Sequence, residues 1–291
     1  MIIVQSALAG ALAGGLYALM AIGLSLGWGM LKVINLAHFG MILLSGYLTY
    51  ALATNLGLDP LLTVVVTVPI MFAIGAAIQW GFQRFGVTEL SSLLVSFGLL
   101  IIGIQLISNA WSADFRRMTA DVNPYATGSL AIGPLTFPIP HLLASLTAVA
   151  LVVGIHVVLQ RTYVGRALRA FAEDPTIAAA FGIDHRRLGM LLAGAAGATA
   201  AVAGTLFAIG GSLTPTTAFE WFGVVFAVVI LGGVGNVLGT LLAGVLVGSI
   251  AAVVTVAWSP VTAPLVVYSL VVLALLFRPR GLLPQGGGGH G

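Results

Sequence analysis

WFGVVFAVVILGGVGNVLGTLLAGVLVGSIAAVVTVAWSPVTAPLVVYSLVVLALLF, residues 221–277, runs for 57 residues without an Asp, Glu, Lys or Arg. One helix crosses a bilayer core with about 20 apolar residues, so this stretch holds more than one crossing. Two sets of turn residues divide it, Gly232-Gly-Val-Gly-Asn236 and Ser259-Pro260, with Pro264 just beyond. Further charge-free intervals cover 1–31, 33–58, 60–83, 90–113, 122–160 and 188–219. Together they predict an all-α polytopic membrane protein with about nine helices, over 5–30, 34–54, 60–83, 90–110, 140–160, 188–210, 219–233, 238–257 and 262–277. The seventh is short for a full crossing. A half-membrane helix is tolerated only where its end is buried in protein or lines a cavity.

Composition agrees. Of 291 residues 59% are apolar and 7% charged, against roughly 25% charged in soluble domains. Mean hydropathy is +1.13. The only lysine, Lys32, precedes Val33 rather than Ser or Thr, so the chain has no P-loop with which to bind ATP. The absence of Cys removes disulfides and thiolate chemistry. A net charge of +3 spread along the chain gives no nucleic-acid patch. His141 and His156 stand 15 apart, too far for a metal-binding pair on one helix face, so no metal site is expected.

With nine spans, Lys32, Arg84, Arg161, Arg166, Arg169, Arg186, Arg187, Arg278 and Arg280 fall on one side, and only Arg116 and Arg117 on the other. The positive-inside rule then predicts an outside amino terminus and a cytoplasmic carboxyl terminus. Ala7 and Ala9 are small residues of cleavage-site type, but no positive segment precedes them, so the start reads as a first span. Residues 1–285 read as a single transmembrane domain, and 286–291 as a flexible Gly-rich tail.

Two polar loops carry most of the mass outside the spans. The outer one, about 111–139, has Trp111, Tyr125 and the pair Arg116 and Arg117; it reads equally as an interfacial cap or as a docking surface for an extracytoplasmic partner. The inner one, 161–187, encodes a short helix: Asp174 as N-cap, Pro175 at its first position and Gly182 as the terminating residue. A helix of about seven residues is some 10 Å long and unstable alone. Its apolar edge, Ile177 and Phe181, needs a surface, either lipid or a partner.

Three blocks resemble the permease subunits of ABC importers of the branched-chain amino acid type. They are Gly27-Trp-Gly-Met-Leu-Lys-Val-Ile-Asn-Leu-Ala-His38; Gly165-Arg-Ala-Leu-Arg-Ala170 through Ala178-Ala-Ala-Phe-Gly-Ile183; and Leu231-Gly-Gly-Val-Gly-Asn236 with Gly239 and Arg278-Pro-Arg-Gly-Leu282. They cover nearly the whole chain in the family's order. The resemblance implies a multi-pass subunit of the bacterial inner membrane that works with a second related permease, two cytoplasmic ATPase subunits and an extracytoplasmic solute-binding protein. The chain itself would hold no cofactor, ATP and Mg being bound by the ATPases. Its cargo would be a branched-chain amino acid or a related small amide or carboxylate. By the same resemblance Gly165, Arg166, Arg169, Asp174, Pro175, Ile177, Ala178, Phe181 and Gly182 belong to the element that couples to the ATPase. The family's usual glycine after the motif histidine is replaced by Phe39, which would narrow whatever it lines.

Candidate pathway residues follow from polarity within the spans. Asn35 and His38, three apart, are expected on one face of the second helix, as substrate contacts or as hydrogen-bond links between helices. Asn236 sits in the corresponding turn near the other end of the chain, and Glu220 opens the seventh helix as an interfacial charge or a pathway mouth. An ion-gradient-driven transporter is the alternative, but it needs intramembrane carboxylates and only Glu220 lies near enough. GxxxG runs at 10–14, 23–27, 235–239 and 244–248 match the number that chance gives for 38 glycines, about five, and are read as glycine richness alone.

Overall fold

The computed structural model describes residues 2–278 and 281–283. Arg280 of the carboxyl-terminal block and the tail 286–291 lie outside the described residues. In chain order the elements are α1 (Ile2–Leu31), α2 (Ala37–Leu56), α3 (Val64–Arg84), α4 (Glu89–Trp111), β1 (Ser129–Ile132), β2 (Leu135–Pro138), α5 (Ile139–Arg161), α6 (Tyr163–Glu173), α7 (Pro175–Ala180), α8 (His185–Gly210), α9 (Thr217–Gly232), α10 (Val237–Ala257) and α11 (Ala263–Phe277). Each of the nine predicted apolar segments is a helix. Seven are long and apolar enough to cross a membrane. The other two, α9 with 16 residues and α11 with 15, are about 24 and 22 Å long against a bilayer core of about 30 Å.

Helices α1 and α8 form the centre. From Ala18 to Leu26 every residue of α1 is buried, the pattern of a helix surrounded on all sides. On the outside of the bundle, Leu94, Ile102 and Leu106 of α4, Leu146 and Val153 of α5, and Leu265 and Val272 of α11 are exposed. Such apolar outer faces suit lipid rather than water.

The packing of α1 on α10 corrects the reading of the GxxxG runs. A Cβ placed on Gly10 would strike the carbonyl oxygen of Gly248, one on Gly14 that of Gly244, and one on Gly248 that of Gly10. The runs at 10–14 and 244–248 therefore face each other backbone to backbone, in the close approach that small residues allow. The seam continues inward, where Gly29 meets Gly235. There the Ser25 hydroxyl accepts from Gly235 N–H at 3.0 Å, and Thr240 Oγ1 lies 3.2 Å from it.

Three buried threonine hydroxyls inside the bundle satisfy one another. Thr63 Oγ1 donates to Pro60 O at 2.7 Å, so it accepts from Thr49 at 3.0 Å; with its proton thus committed, Thr49 accepts from Thr205 at 2.9 Å. This hydroxyl chain joins α2, the start of α3 and α8 without an orphaned donor.

All chain connections fall at one of two ends. One end gathers the α2–α3 loop, residues 112–138, the α8–α9 link and the α10–α11 loop. Tyr125 Oη donates to Asp59 Oδ2 at 2.8 Å, and Asn123 Nδ2 to Ile209 O at 2.8 Å. The hydrogen bond to Asp59 raises the Tyr125 phenol above its ordinary pKa. Within this loop β1 and β2 pair as an antiparallel hairpin around Gly133 and Pro134, a departure from the expected all-helical architecture. Gly133, at φ +61°, supplies the left-handed residue of its two-residue turn. The opposite end gathers Lys32, Arg84, Arg161, Arg166, Arg169, Arg186, Arg187 and Arg278.

Candidate functional site

The α1–α2 connection differs from the expected helix over 34–54. Residues 32–35 lie outside any helix, with Lys32 in the left-handed region at φ +53°, α2 begins at Ala37, and Asn35 lies before the helix rather than on its face. Buried backbone outside a helix must find partners. Two serines one turn apart on α4 supply them: Ser92 Oγ accepts from Ile34 N–H at 3.1 Å, Ser96 Oγ accepts from Leu36 N–H at 2.9 Å, and Ser96 Oγ donates to Ile34 O at 3.1 Å. Neither serine was singled out from the sequence; their spacing of four within an apolar helix is the signal that would have found them.

His38 is 2% exposed, and its Nε2 donates to Met20 O of α1 at 3.0 Å. A Cβ on Gly23 would run into the imidazole Cε1, so glycine at that position makes room for the ring. His38 thus links α1 to α2. Beside it Asn35, Gln79 and His38 border a cavity of about 20 Å³, room for roughly one water and too small for a solute in this conformation. Asn35 Oδ1 is buried there with no partner among the described residues. Phe39 points elsewhere. Fully buried, its ring lies 4.5 Å from Phe222 and 6.2 Å from Phe226, a wedge between α2 and α9 rather than a wall of the cavity.

His38→Ala is therefore expected to remove a buried ring and its hydrogen bond together, costing about 2–4 kcal/mol and lowering the melting midpoint of the purified chain. Asn35→Ala, which removes no such bond, should leave the midpoint within experimental scatter. Equal midpoints for His38→Ala and wild type would refute the linking role.

Asn236 caps α10: its Oδ1 accepts from Gly239 N–H at 2.9 Å, and its Nδ2 donates to Leu283 O at 2.8 Å. Glu220 is exposed in the first turn of α9. The carboxyl end of α9 is buried and satisfied, since Leu231 O accepts from Leu282 N–H at 2.7 Å.

The connection from α5 to α8 holds two helices where the sequence indicated one. Thr162 caps the first, α6, by accepting from Gly165 N–H at 3.1 Å. A Cβ on Gly165 would strike the backbone of Val158 and Leu159, so this glycine lets α6 fold directly against the end of α5. Arg169 Nη1 of α6 donates to Gln160 Oε1 at 2.9 Å, and Arg166 Nη1 to Arg161 O at 3.3 Å.

The second helix, α7, follows its predicted signals. Asp174 Oδ1 accepts from Ile177 N–H at 3.0 Å, and Gly182 ends the element at φ +77°. Ala178 is buried at 3% exposure, whereas Ile177 and Phe181 are 58% and 81% exposed. Asp184 then caps α8 through the N–H groups of Arg186 and Arg187 at 3.0 and 3.2 Å. The Arg187 N–H, first, holds the Asp184 carboxyl below its ordinary pKa.

At the opposite end Arg116 is engaged within the chain. Its Nη2 donates to Trp111 O at 2.9 Å and to Ser112 Oγ at 3.1 Å, while its backbone pairs with Leu213. Arg117 is exposed.

An apolar bundle with polar end loops and two buried breaks is a polytopic helical membrane protein. Residues 6–277 match the family described as the branched-chain amino acid transport system / permease component. The chain belongs to that family of transport permeases. It is 25% identical over 291 residues to the high-affinity branched-chain amino acid transport system permease protein BraD of Pseudomonas aeruginosa, covering 96% of this chain and 95% of that one. To the corresponding permease protein LivH of Escherichia coli K12 it is 27% identical over 286 residues, covering 93% and 92%. To LivM of the same organism it is 33% identical over 129 residues, covering 44% of this chain and 30% of LivM. No solved structure matches.

Proposed function

We propose that this chain is a membrane-spanning subunit of an ABC importer that moves a branched-chain amino acid, or a related small amide or carboxylate, across the bacterial inner membrane. The observation that carries the reading is α7, a capped helix at the Arg-rich end with Ile177 and Phe181 turned away from their own chain. Two large apolar side chains held clear of the core on a fixed turn suit a cleft in a cytoplasmic ATPase. Closure of two such ATPases on ATP would move α7 and, through α6 and Gly165, the end of α5. The bundle would then switch the pathway between the two sides as a two-state element. The small cavity at Asn35 and His38 is the closed form of that pathway.

On this reading α9 and α11 cross as well, giving nine spans in a single domain over 1–285, with the amino terminus outside. The hairpin and the exposed Arg117 then face an extracytoplasmic solute-binding protein, with Arg116 holding that loop in shape. Similarity to both LivH and LivM of one organism supports pairing with a second, related permease.

The chain has no Cys, so single cysteines test the sidedness. Ser129→Cys in the hairpin is expected to react with an impermeant maleimide applied to intact cells. Ala179→Cys in α7 should react only after the membrane is opened. The reverse pattern would overturn the orientation, and with it the coupling role of α7.

A further inference from the structure

A second cavity, about 470 Å³, lies between α5, α6 and the α9–α10 turn. Its volume falls within the ~300–1,000 Å³ of small-molecule sites. Two of its charged groups, Arg169 and Glu173, stand one helical turn apart on α6. Arg169 spends one nitrogen on Gln160, but its Nε is buried without a partner among the described residues. No ion pair joins Arg169 to Glu173, the ion pair among the described residues being Arg187–Asp184. A buried guanidinium N–H left unpaired costs free energy that an anion would recover. Beside these charges the lining joins the apolar Met30, Leu159 and Leu238 to the polar groups of His156, Gln160 and Asn236.

A cation, an anion and several aliphatic side chains in one small cavity complement one chemical class. A guanidinium fork fits a carboxylate with two parallel hydrogen bonds. Glu173 faces an ammonium group, and Leu159 and Leu238 take an aliphatic side chain. We propose that this cavity binds an α-amino-acid zwitterion with an aliphatic side chain, at a site separate from the Asn35 and His38 break. Its consequence rests on the importer reading. Because α6 runs into α7, an occupant gripping α6 and resting on the α9–α10 turn ties the coupling element to the bundle. Solute accumulated on the α6 side then slows further import.

Full-length chain in lipid nanodiscs is titrated calorimetrically with L-leucine, with 4-methylpentanoate, which lacks the ammonium, and with isoamylamine, which lacks the carboxylate. Leucine is expected to bind most tightly. Arg169→Gln should weaken leucine by about 10- to 100-fold, the range of a charge-assisted hydrogen bond. Glu173→Gln should weaken leucine and leave 4-methylpentanoate unchanged. Glu173 is exposed, so its variant reports even if Arg169→Gln fails to fold. Wild-type leucine affinity in both variants, or no leucine binding to wild type, would overturn the site. Full binding in both variants with loss in Asn35→Ala would put the solute at the α1–α2 break, leaving the importer reading intact and this cavity refuted. In the assembled importer, leucine supplied on the α6 side should slow uptake by wild type and spare Glu173→Gln; equal slowing of both would overturn the feedback.

Discussion

Gly14→Leu is expected to abolish recovery of folded protein, while Gly98→Leu leaves it unchanged. The contrast is local. A Cβ on Gly14 would lie 2.8 Å from the carbonyl carbon of Gly244 and 2.9 Å from Val245 Cα, and would strike the Gly244 oxygen. These are backbone atoms on a facing helix, so relief requires α1 and α10 to separate. Gly98, on the outer face of α4, has nothing within 4 Å of a Cβ. Overpacking a core costs about 1–3 kcal/mol where side chains can yield. Here they cannot, and separation also opens the contacts at Gly10, Gly248 and Gly29 and the Ser25 link to the α9–α10 turn. Against a total stability of about 5–15 kcal/mol, a loss above 3 kcal/mol lowers the folded ratio by more than a hundredfold. Fluorescence-detected size-exclusion profiles of both variants make the comparison. A sharp wild-type peak for Gly14→Leu would refute the seam.

Phe181→Ala is expected to leave the isolated chain as stable as wild type and to weaken association with the ATPase by about 10- to 100-fold. Phe181 is 81% exposed, so its removal opens no cavity in the folded chain. In a complex, burying a Phe side chain contributes on the order of 1.5–3 kcal/mol, and each 1.4 kcal/mol is tenfold in affinity. Gly182→Val should lower coupling through a different route, since a β-branched residue resists the φ of +77° that ends α7. Melting midpoints, ATPase co-purification and solute-stimulated ATP hydrolysis, read together, separate these effects. Wild-type co-purification for Phe181→Ala would move the coupling contact off α7. A lowered midpoint would mean that Phe181 packs within its own chain.

Much of the architecture is written in the spacing of charges. Lys32, Asp59, Arg84, Glu89, Arg161 and Glu220 bracket the apolar segments closely enough that the nine helices fall near their expected limits. Local chemistry was equally legible at α7, where Asp174 and Gly182 fix both ends whatever lies around them. By contrast α6 was hidden: 161–187 is rich in Arg, and the fold-back at Gly165 depends on the backbone of Val158 and Leu159. The hairpin leaves little trace in the sequence because its two strands are only four residues each and exposed on nearly every side chain.

Sequence alone determined where the chain is apolar, where it turns and how its charges sort to two ends, because burial in lipid and backbone capping depend on residue type and spacing over one helix or less. Only the tertiary structure decided which glycines matter, which serines serve the backbone of 32–36, that His38 donates to Met20 while Phe39 turns to α9, and that Arg169 and Glu173 share a cavity with Leu238. Each of these depends on contact between residues distant in the chain. A Gly14 facing Gly244 and a Gly98 facing nothing are the same residue in sequence, and only the position of the second helix separates them.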